Sequence, residues 1–154
     1  MTKDKIQQYT LRITQSNRSG IIVILYEVLD TYLSDAIEAG EYGVFKENVR
    51  NASAVLAELR GALDMQYEIS NALSNLYDFW MRELSGAVIK KDAGRAKAVK
   101  DMALKVGEAF AKAHEQDDSP VLMQNTQEVY AGLTYGRGDL VESNSSGGNR
   151  GYLV

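Results

Sequence analysis

The sequence predicts an all-α protein folded as an antiparallel up-down-up-down four-helix bundle, and three features support this prediction. Apolar residues recur at steps of three and four in four successive segments of about 21 to 24 residues. The single proline, Pro120, follows all four segments, and proline is the strongest helix breaker. The links between segments are predicted to be only two or three residues long, which forces neighbouring helices to run antiparallel.

The first predicted helix covers residues 19–39 and has the broadest apolar surface. Val23 and Ile24 lie beside its main apolar row, so we expect this helix to be the most enclosed of the four. Ser16, Asn17 and Ser19 precede or begin it and are all suitable N-cap residues.

The second, third and fourth predicted helices cover residues 43–63, 66–89 and 93–114, with Asp92 as the N-cap of the last. The third contains four large side chains within five positions: Tyr77, Phe79, Trp80 and Met81. These span more than one packed face of a helix. The spread therefore favours a contact surface for a partner on this helix.

Three further segments flank the predicted bundle of residues 17–116. Residues 1–16 carry Ile6, Tyr9 and Ile13 at helical spacing, so this segment is predicted to dock on the bundle as a cap. Residues 117–133 contain a candidate short fifth helix over 121–133. Residues 134–154 are rich in Gly, Ser and Asn, which is typical of a mobile tail.

Residues suited to catalysis are scarce. The chain has no cysteine and one histidine, His114, and the position three before it is Ala111, so the Glu-x-x-His motif of di-metal bundles is absent. A lone histidine in the last turn of a helix is typical of a favourable helix-end charge. We therefore expect no enzyme activity, no metal and no cofactor.

Charge and hydropathy exclude other classes of partner. The formal net charge is −4, which disfavours nucleic acid. No apolar run approaches the roughly 20 residues that span a bilayer. The first residues lack the apolar core of a signal peptide, so a cytoplasmic protein without membrane insertion is expected.

Ordered motifs between Tyr9 and Phe110 resemble the flagellin-specific export chaperones of the FliS family. Residues 22–27 read Ile-Val-Ile-Leu-Tyr-Glu where the family has Leu-x-x-Met-Leu-Tyr-Asp. The most specific match is Ile69-x-x-x-Leu73-x-x-Leu76-Tyr77-Asp78-Phe79-x-x-Arg82-x-Leu84-x-x-Ala87, supported by Ala36-Ile37, Asn51-Ala52, Val55-Leu56-x-Glu58-Leu59, Leu63-Asp64 and Lys91-Asp92. The chain departs from the family at residues 16–19, where Ser-Asn-Arg-Ser replaces Thr-Ala-Ser-Pro, and in its longer C-terminal tail.

The resemblance implies a cytoplasmic chaperone that binds the disordered C-terminal segment of flagellin, prevents premature polymerisation and delivers the subunit for flagellar type III export. It also implies an export-gate component and an anti-sigma factor as further partners, and a monomer or weak homodimer. We expect the flagellin groove to be lined by Val49, Ala52, Leu56, Leu59, Ile69, Leu73, Leu76, Tyr77 and Trp80. Tyr9, with Ile6 and Ile13, is expected to plug this groove when flagellin is absent.

Two other hypotheses remain open at this point. The bundle is also compatible with a self-associating structural protein whose aromatic surface forms a homodimer. A phosphotransfer module that uses His114 is the less favoured alternative.

Overall fold

The computed structural model describes residues 1–123, in which five α-helices and no strand occur. The helices are α1 (Lys3–Thr14), α2 (Arg18–Glu38), α3 (Tyr42–Gly61), α4 (Glu68–Lys90) and α5 (Ala93–Glu115). Helices α2 to α5 form a closed ring, because α2 packs against α3 and α5, and α4 packs against the same two helices. This arrangement confirms the predicted all-α bundle.

The ends of the bundle helices follow from local hydrogen bonds. Of the three candidate N-caps for α2, the structure selects Asn17, whose Oδ1 accepts from the amide of Gly20 at 3.0 Å. Asp92 caps α5 as predicted and accepts from the amide of Gly94 at 2.9 Å. Between α4 and α5, the backbone of Lys91 takes a left-handed conformation with φ 51°, which residues other than glycine rarely adopt.

The link between α3 and α4 is longer than the two residues predicted. It covers residues 62–67, because the carboxylate of Asp64 accepts from the amide of Gln66 at 3.0 Å and forms a turn. The hydroxyl of Ser70 then donates to the carbonyl of Asp64 at 2.6 Å. These local bonds offer the backbone an alternative to the helix.

The core lies between α2, α3, α4 and α5 and is dominated by leucine and aromatic side chains. A hydrogen bond of 2.8 Å joins the hydroxyls of Tyr26 on α2 and Tyr77 on α4 through the middle of the core. Burial raises the pKa of both phenols, since the low-dielectric interior disfavours the phenolate. The most completely buried large side chains are Trp80, Tyr77, Leu29, Leu33, Leu56, Leu59, Leu84, Val49 and Val99.

Two glycines inside helices face different neighbours. A Cβ on Gly107 of α5 would lie 3.2 Å from the Cβ of Tyr26, so this glycine allows α5 to approach α2 closely. A Cβ on Gly86 of α4 would meet only the flexible guanidinium end of Arg95.

Helix α1 lies outside the ring and runs antiparallel to α2. The terminal amine of Met1 lies 2.6 Å from the carboxylate of Asp35, whereas Arg12, near the other end of α1, pairs with Glu27. Helix α2 is therefore covered on two sides, and every residue from position 19 to 37 is buried or partly buried. This confirms the expectation that the first bundle helix is the most enclosed.

Part of the predicted C-terminal organisation lies outside the described residues. Residues 117–123 are not helical, and the remainder of the predicted short helix over 121–133 and the predicted mobile tail of 134–154 are not described. None of the helices between residues 1 and 123 is long and apolar enough to cross a membrane.

Candidate partner-binding site

A groove of about 360 Å³ lies between α2 and α5, and Tyr9 of α1 lines part of it. The α5 wall includes three small residues one helical turn apart, Ala103, Gly107 and Ala111, together with Leu104 and Glu108. Tyr26 of α2 also lines the groove. Small residues in such a row allow the backbone of another helix to come close.

Polar contacts attach α1 to this groove. The hydroxyl of Tyr9 lies 3.0 Å from that of Thr31, and the guanidinium of Arg12 donates to both oxygens of Glu27 at 2.6 and 3.0 Å. The pKa of Arg12 is raised, chiefly by its hydrogen bond to Glu27. Thr14, which is 8% exposed, is the only buried residue of α1. Few buried apolar atoms therefore oppose the separation of α1 from the bundle.

The three residues predicted as the plug differ in their contacts. Tyr9 and Ile13 are partly buried, whereas Ile6 is 46% exposed. Tyr9 lines a groove formed by α2 and α5, whereas the residues predicted for the flagellin groove lie on α3 and α4.

The rim of the groove is acidic, with Glu27, Asp30 and Glu108 along it. The ammonium of Lys100 lies 3.3 Å from Oδ1 of Asp30 without the alignment of a hydrogen bond. This oxygen is buried and has no hydrogen-bond partner among the described residues. The groove therefore presents an apolar floor and a polar edge that accepts hydrogen bonds.

A second apolar surface lies on the N-terminal half of α4. Ile69 is 67% exposed, Phe79 is 40% exposed, and Leu73 and Leu76 are partly buried between them. This surface retains three of the nine residues predicted to line the flagellin groove.

The other six predicted groove residues lie in the core. The buried residues are Val49, Ala52, Leu56, Leu59, Tyr77 and Trp80. A partner of the folded chain does not reach these side chains, because α2 to α5 already enclose them. Helical periodicity identifies the apolar face of a helix, but it does not show whether a neighbouring helix or a partner covers that face.

The aromatic cluster of α4 is also less exposed than its width predicted. Tyr77 and Trp80 point into the core, Met81 is partly buried, and Phe79 is the exposed member. Because α4 packs against both α3 and α5, it hides a wider arc than one packed face.

A polar cluster near the start of α2 was not predicted from the sequence. The hydroxyl of Ser19 lies 2.7 Å from Nδ1 of His114 and 2.5 Å from Oδ2 of Asp117. This is not the geometry of a Ser-His-Asp triad, in which the carboxylate binds the histidine rather than the serine. The pKa of Asp117 is lowered to about 2, first by the hydroxyl of Ser119 and then by that of Ser19. The Asp-x-Ser spacing of residues 117–119 is the local signal that predicts such a turn.

The described residues contain no group of His, Cys, Asp and Glu side chains arranged to hold a metal ion. The groove between α2 and α5, with its apolar floor, is the feature best suited to a polypeptide ligand.

Comparison with protein families agrees with this description. The family model of the flagellar protein FliS matches residues 2–117, which is well over half of the chain. The chain belongs to the FliS family. The match includes α1 as well as the bundle, and it ends just after α5. A comparison with curated proteins found no match. As a member of the FliS family, the chain is a chaperone of flagellar assembly and export.

Proposed function

We propose that this FliS protein binds the C-terminal segment of flagellin, and that part of the segment replaces α1 in the groove between α2 and α5. The observation that carries the proposal is the shallow attachment of α1, which lines an apolar groove through Tyr9 and has Thr14 as its one buried residue. A helix held in this way is readily exchanged for a longer and more apolar one.

The chemistry of the groove suits a segment that is disordered when free and helical when bound. Ordering such a segment costs conformational free energy, so the contact has to bury a large apolar area. Displacement of α1 would remove Tyr9 from the groove and open it further at Val23 and the ring of Tyr26. These side chains would supply part of that area.

The segment that replaces α1 would be longer than α1. Helix α1 has 12 residues and is therefore about 18 Å long at 1.5 Å per residue. A longer client would continue beyond the groove, and the exposed edge of α4 at Ile69, Leu73 and Leu76 is the second contact that we propose. The six buried residues predicted for the groove would then support its shape from inside the core.

A bound chaperone of this kind acts by covering the client. Flagellin whose C-terminal segment is bound cannot use that segment to polymerise in the cytoplasm, and it stays available for export. Transfer to an export-gate component and contact with an anti-sigma factor are further partner roles that we propose from the family. A monomer that forms at most a weak homodimer suits one-to-one binding.

Titration calorimetry with a peptide of the flagellin C-terminal segment tests the proposal. We expect one-to-one binding, and we expect Ile69→Asp and Leu104→Asp to weaken it about tenfold or more, since each places a charge against an apolar contact. Ile89→Asp is the matched control for Ile69, because Ile89 is 79% exposed near the opposite end of α4.

Tyr9→Ala distinguishes a competing α1 from a contributing one. If α1 competes with flagellin, loss of the Tyr9 contacts raises the fraction of open chaperone and tightens binding severalfold. The absence of any complex at about 50 µM, with several flagellins from the same organism, would refute the proposed function. A dimer that is insensitive to peptide in sedimentation would favour self-association instead.

A further inference from the structure

The residues that follow α5 return to the turn between α1 and α2. We call residues 15–17, which join these two helices, the hinge, and residues 117–122 the strap. The amide of Leu122 donates to the carbonyl of Ser16 at 3.2 Å. The side-chain amide of Asn17 donates to the carbonyl of Ser119 at 3.1 Å and lies 3.4 Å from that of Asp117. The strap is thus bound to two of the three hinge residues.

The hydroxyl of Ser19, near the start of α2, contacts both the strap and the last turn of α5. It donates to Oδ2 of Asp117 at 2.5 Å. A hydroxyl has only one proton, so Nδ1 of His114, at 2.7 Å, has to donate to the oxygen of Ser19. The start of α2, the end of α5 and the strap therefore meet at one oxygen atom.

The strap is also held in a defined shape. The second oxygen of Asp117 accepts from the amide of Ser119 at 3.1 Å and from its hydroxyl at 2.5 Å. These two bonds turn the chain back towards the hinge just before Pro120, whose fixed φ stiffens the segment that reaches Ser16. Asp117 is thus bonded to Ser19 through one oxygen and to Ser119 through the other.

We propose that the strap positions α1, with Asp117, Ser119 and Ser19 as the positioning residues. For α1 to leave α2, the backbone torsions of the hinge have to change. The carbonyl of Ser16 and the side chain of Asn17 resist this change while both are bound to the strap. Because α1 has little buried surface of its own, restraint at the hinge is a substantial part of its attachment.

The same arrangement explains two departures from the family pattern. Residues 16–19 read Ser-Asn-Arg-Ser instead of Thr-Ala-Ser-Pro, and three of the four bind the strap: Ser16 through its carbonyl, and Asn17 and Ser19 through their side chains. The family match ends at Asp117, so Ser119 and Leu122 lie beyond it. Residues 16–19, which differ from the family pattern, and the strap contact each other in the structure, which indicates that they act together.

The strap proposal is partly independent of the proposed function. Tighter α1 attachment lowers flagellin affinity only if α1 competes with flagellin, and that consequence rests on the proposed function. The attachment itself depends on the contacts between strap and hinge alone. It is therefore measured without a client.

Amide hydrogen exchange of the full chain, followed by mass spectrometry, tests the proposal. In Asp117→Asn we expect the amides of α1 to exchange about three- to tenfold faster, because the substitution weakens charge-assisted hydrogen bonds. The amides of α4, in the core, should keep their rate. Asp118→Asn is the matched control, since Asp118 is exposed and has no hydrogen bond or ion pair within residues 1–123.

A second variant, Ser119→Ala, removes one contact without changing the charge and should accelerate exchange in α1 in the same direction. Equal exchange of α1 in the Asp117→Asn and Asp118→Asn chains would overturn the proposal. Equal acceleration in α1 and α4 would also overturn it, because that result shows a general loss of stability. Failure of every flagellin peptide to bind leaves this test unchanged and counts against the proposed function alone.

Discussion

The hydrogen bond between Tyr26 and Tyr77 provides the sharpest test of how the core is built. The two residues are 6% and 1% exposed, and their hydroxyls, 2.8 Å apart, are each other's partners. Tyr26→Phe leaves the hydroxyl of Tyr77 buried without a partner, and Tyr77→Phe does the same to Tyr26. Each single substitution therefore removes a bond and also leaves a desolvated polar group.

The expected magnitudes follow from this difference between single and double substitution. A buried polar group without a partner costs about 1–3 kcal/mol, whereas replacement of both partners by apolar groups of the same shape is nearly neutral. We expect each single variant to lose about 1–3 kcal/mol of unfolding free energy. The double variant should lose less than the sum of the two, by at least about 1 kcal/mol.

Urea denaturation followed by far-ultraviolet circular dichroism measures these differences. Tyr42→Phe is the control, because the hydroxyl of Tyr42 donates to the carbonyl of Val88 at 2.9 Å on the surface, where water can replace it. Its cost should stay below about 0.5 kcal/mol. Additive losses in the double variant, or a loss in Tyr26→Phe no larger than that of the control, would refute the reasoning.

The same pair predicts a pH dependence. Burial raises the pKa of both phenols above the value of about 10 in the unfolded chain. The folded protein therefore keeps protons that the unfolded chain releases. Stability from this source is complete below about pH 10 and falls as the pH rises further, and the double phenylalanine variant should lose this dependence.

Three further predictions concern single positions. Gly107→Ala should lower the unfolding free energy, since its Cβ would crowd the Cβ and ring of Tyr26, whereas Gly86→Ala should raise it by up to about 1 kcal/mol through helix propensity. Thermal unfolding of both variants measures the difference, and equal effects would contradict the structure. Lys91→Gly should stabilise the chain by about 0.5–1 kcal/mol, because glycine accepts the left-handed conformation freely. A lower unfolding free energy for this variant in chemical denaturation would contradict the prediction. Trp80, which is fully buried with no partner for its indole N–H among the described residues, should emit at short wavelength and change little when flagellin peptide binds; a large red shift would show that the core opens.

Helical periodicity predicted the bundle because it depends on local geometry. The four predicted segments correspond to α2 to α5 with ends that differ by only a few residues, and Asp92 caps α5 as expected. The α3–α4 link was predicted too short, since hydrogen bonds made by Asp64 and Ser70 stop the helices earlier. These side-chain hydrogen bonds compete with continuation of the helix, and apolar periodicity alone does not predict which of the two conformations is more stable.

The candidate site was predicted less completely. Tyr9 lines a groove between α2 and α5 rather than the predicted one, and Val49 and Trp80, among others predicted to line the groove, are core residues. Both kinds of residue share the same apolar spacing. The spacing carries no information about which of two neighbours, a helix of the same chain or a partner, covers the face.

The sequence by itself determined that this protein is a helical bundle of the FliS type without evident catalytic groups, because apolar spacing and motif order are properties of the chain. Only the tertiary structure decided that Tyr9 of α1 lines the α2–α5 groove and that residues beyond α5 return to bind Ser16, Asn17 and Ser19. These contacts join positions about 100 residues apart, as Asn17 and Asp117 show. No local sequence pattern predicts contacts over this separation, since they form only when α2 and α5 pack side by side and bring the start of α2 next to the end of α5.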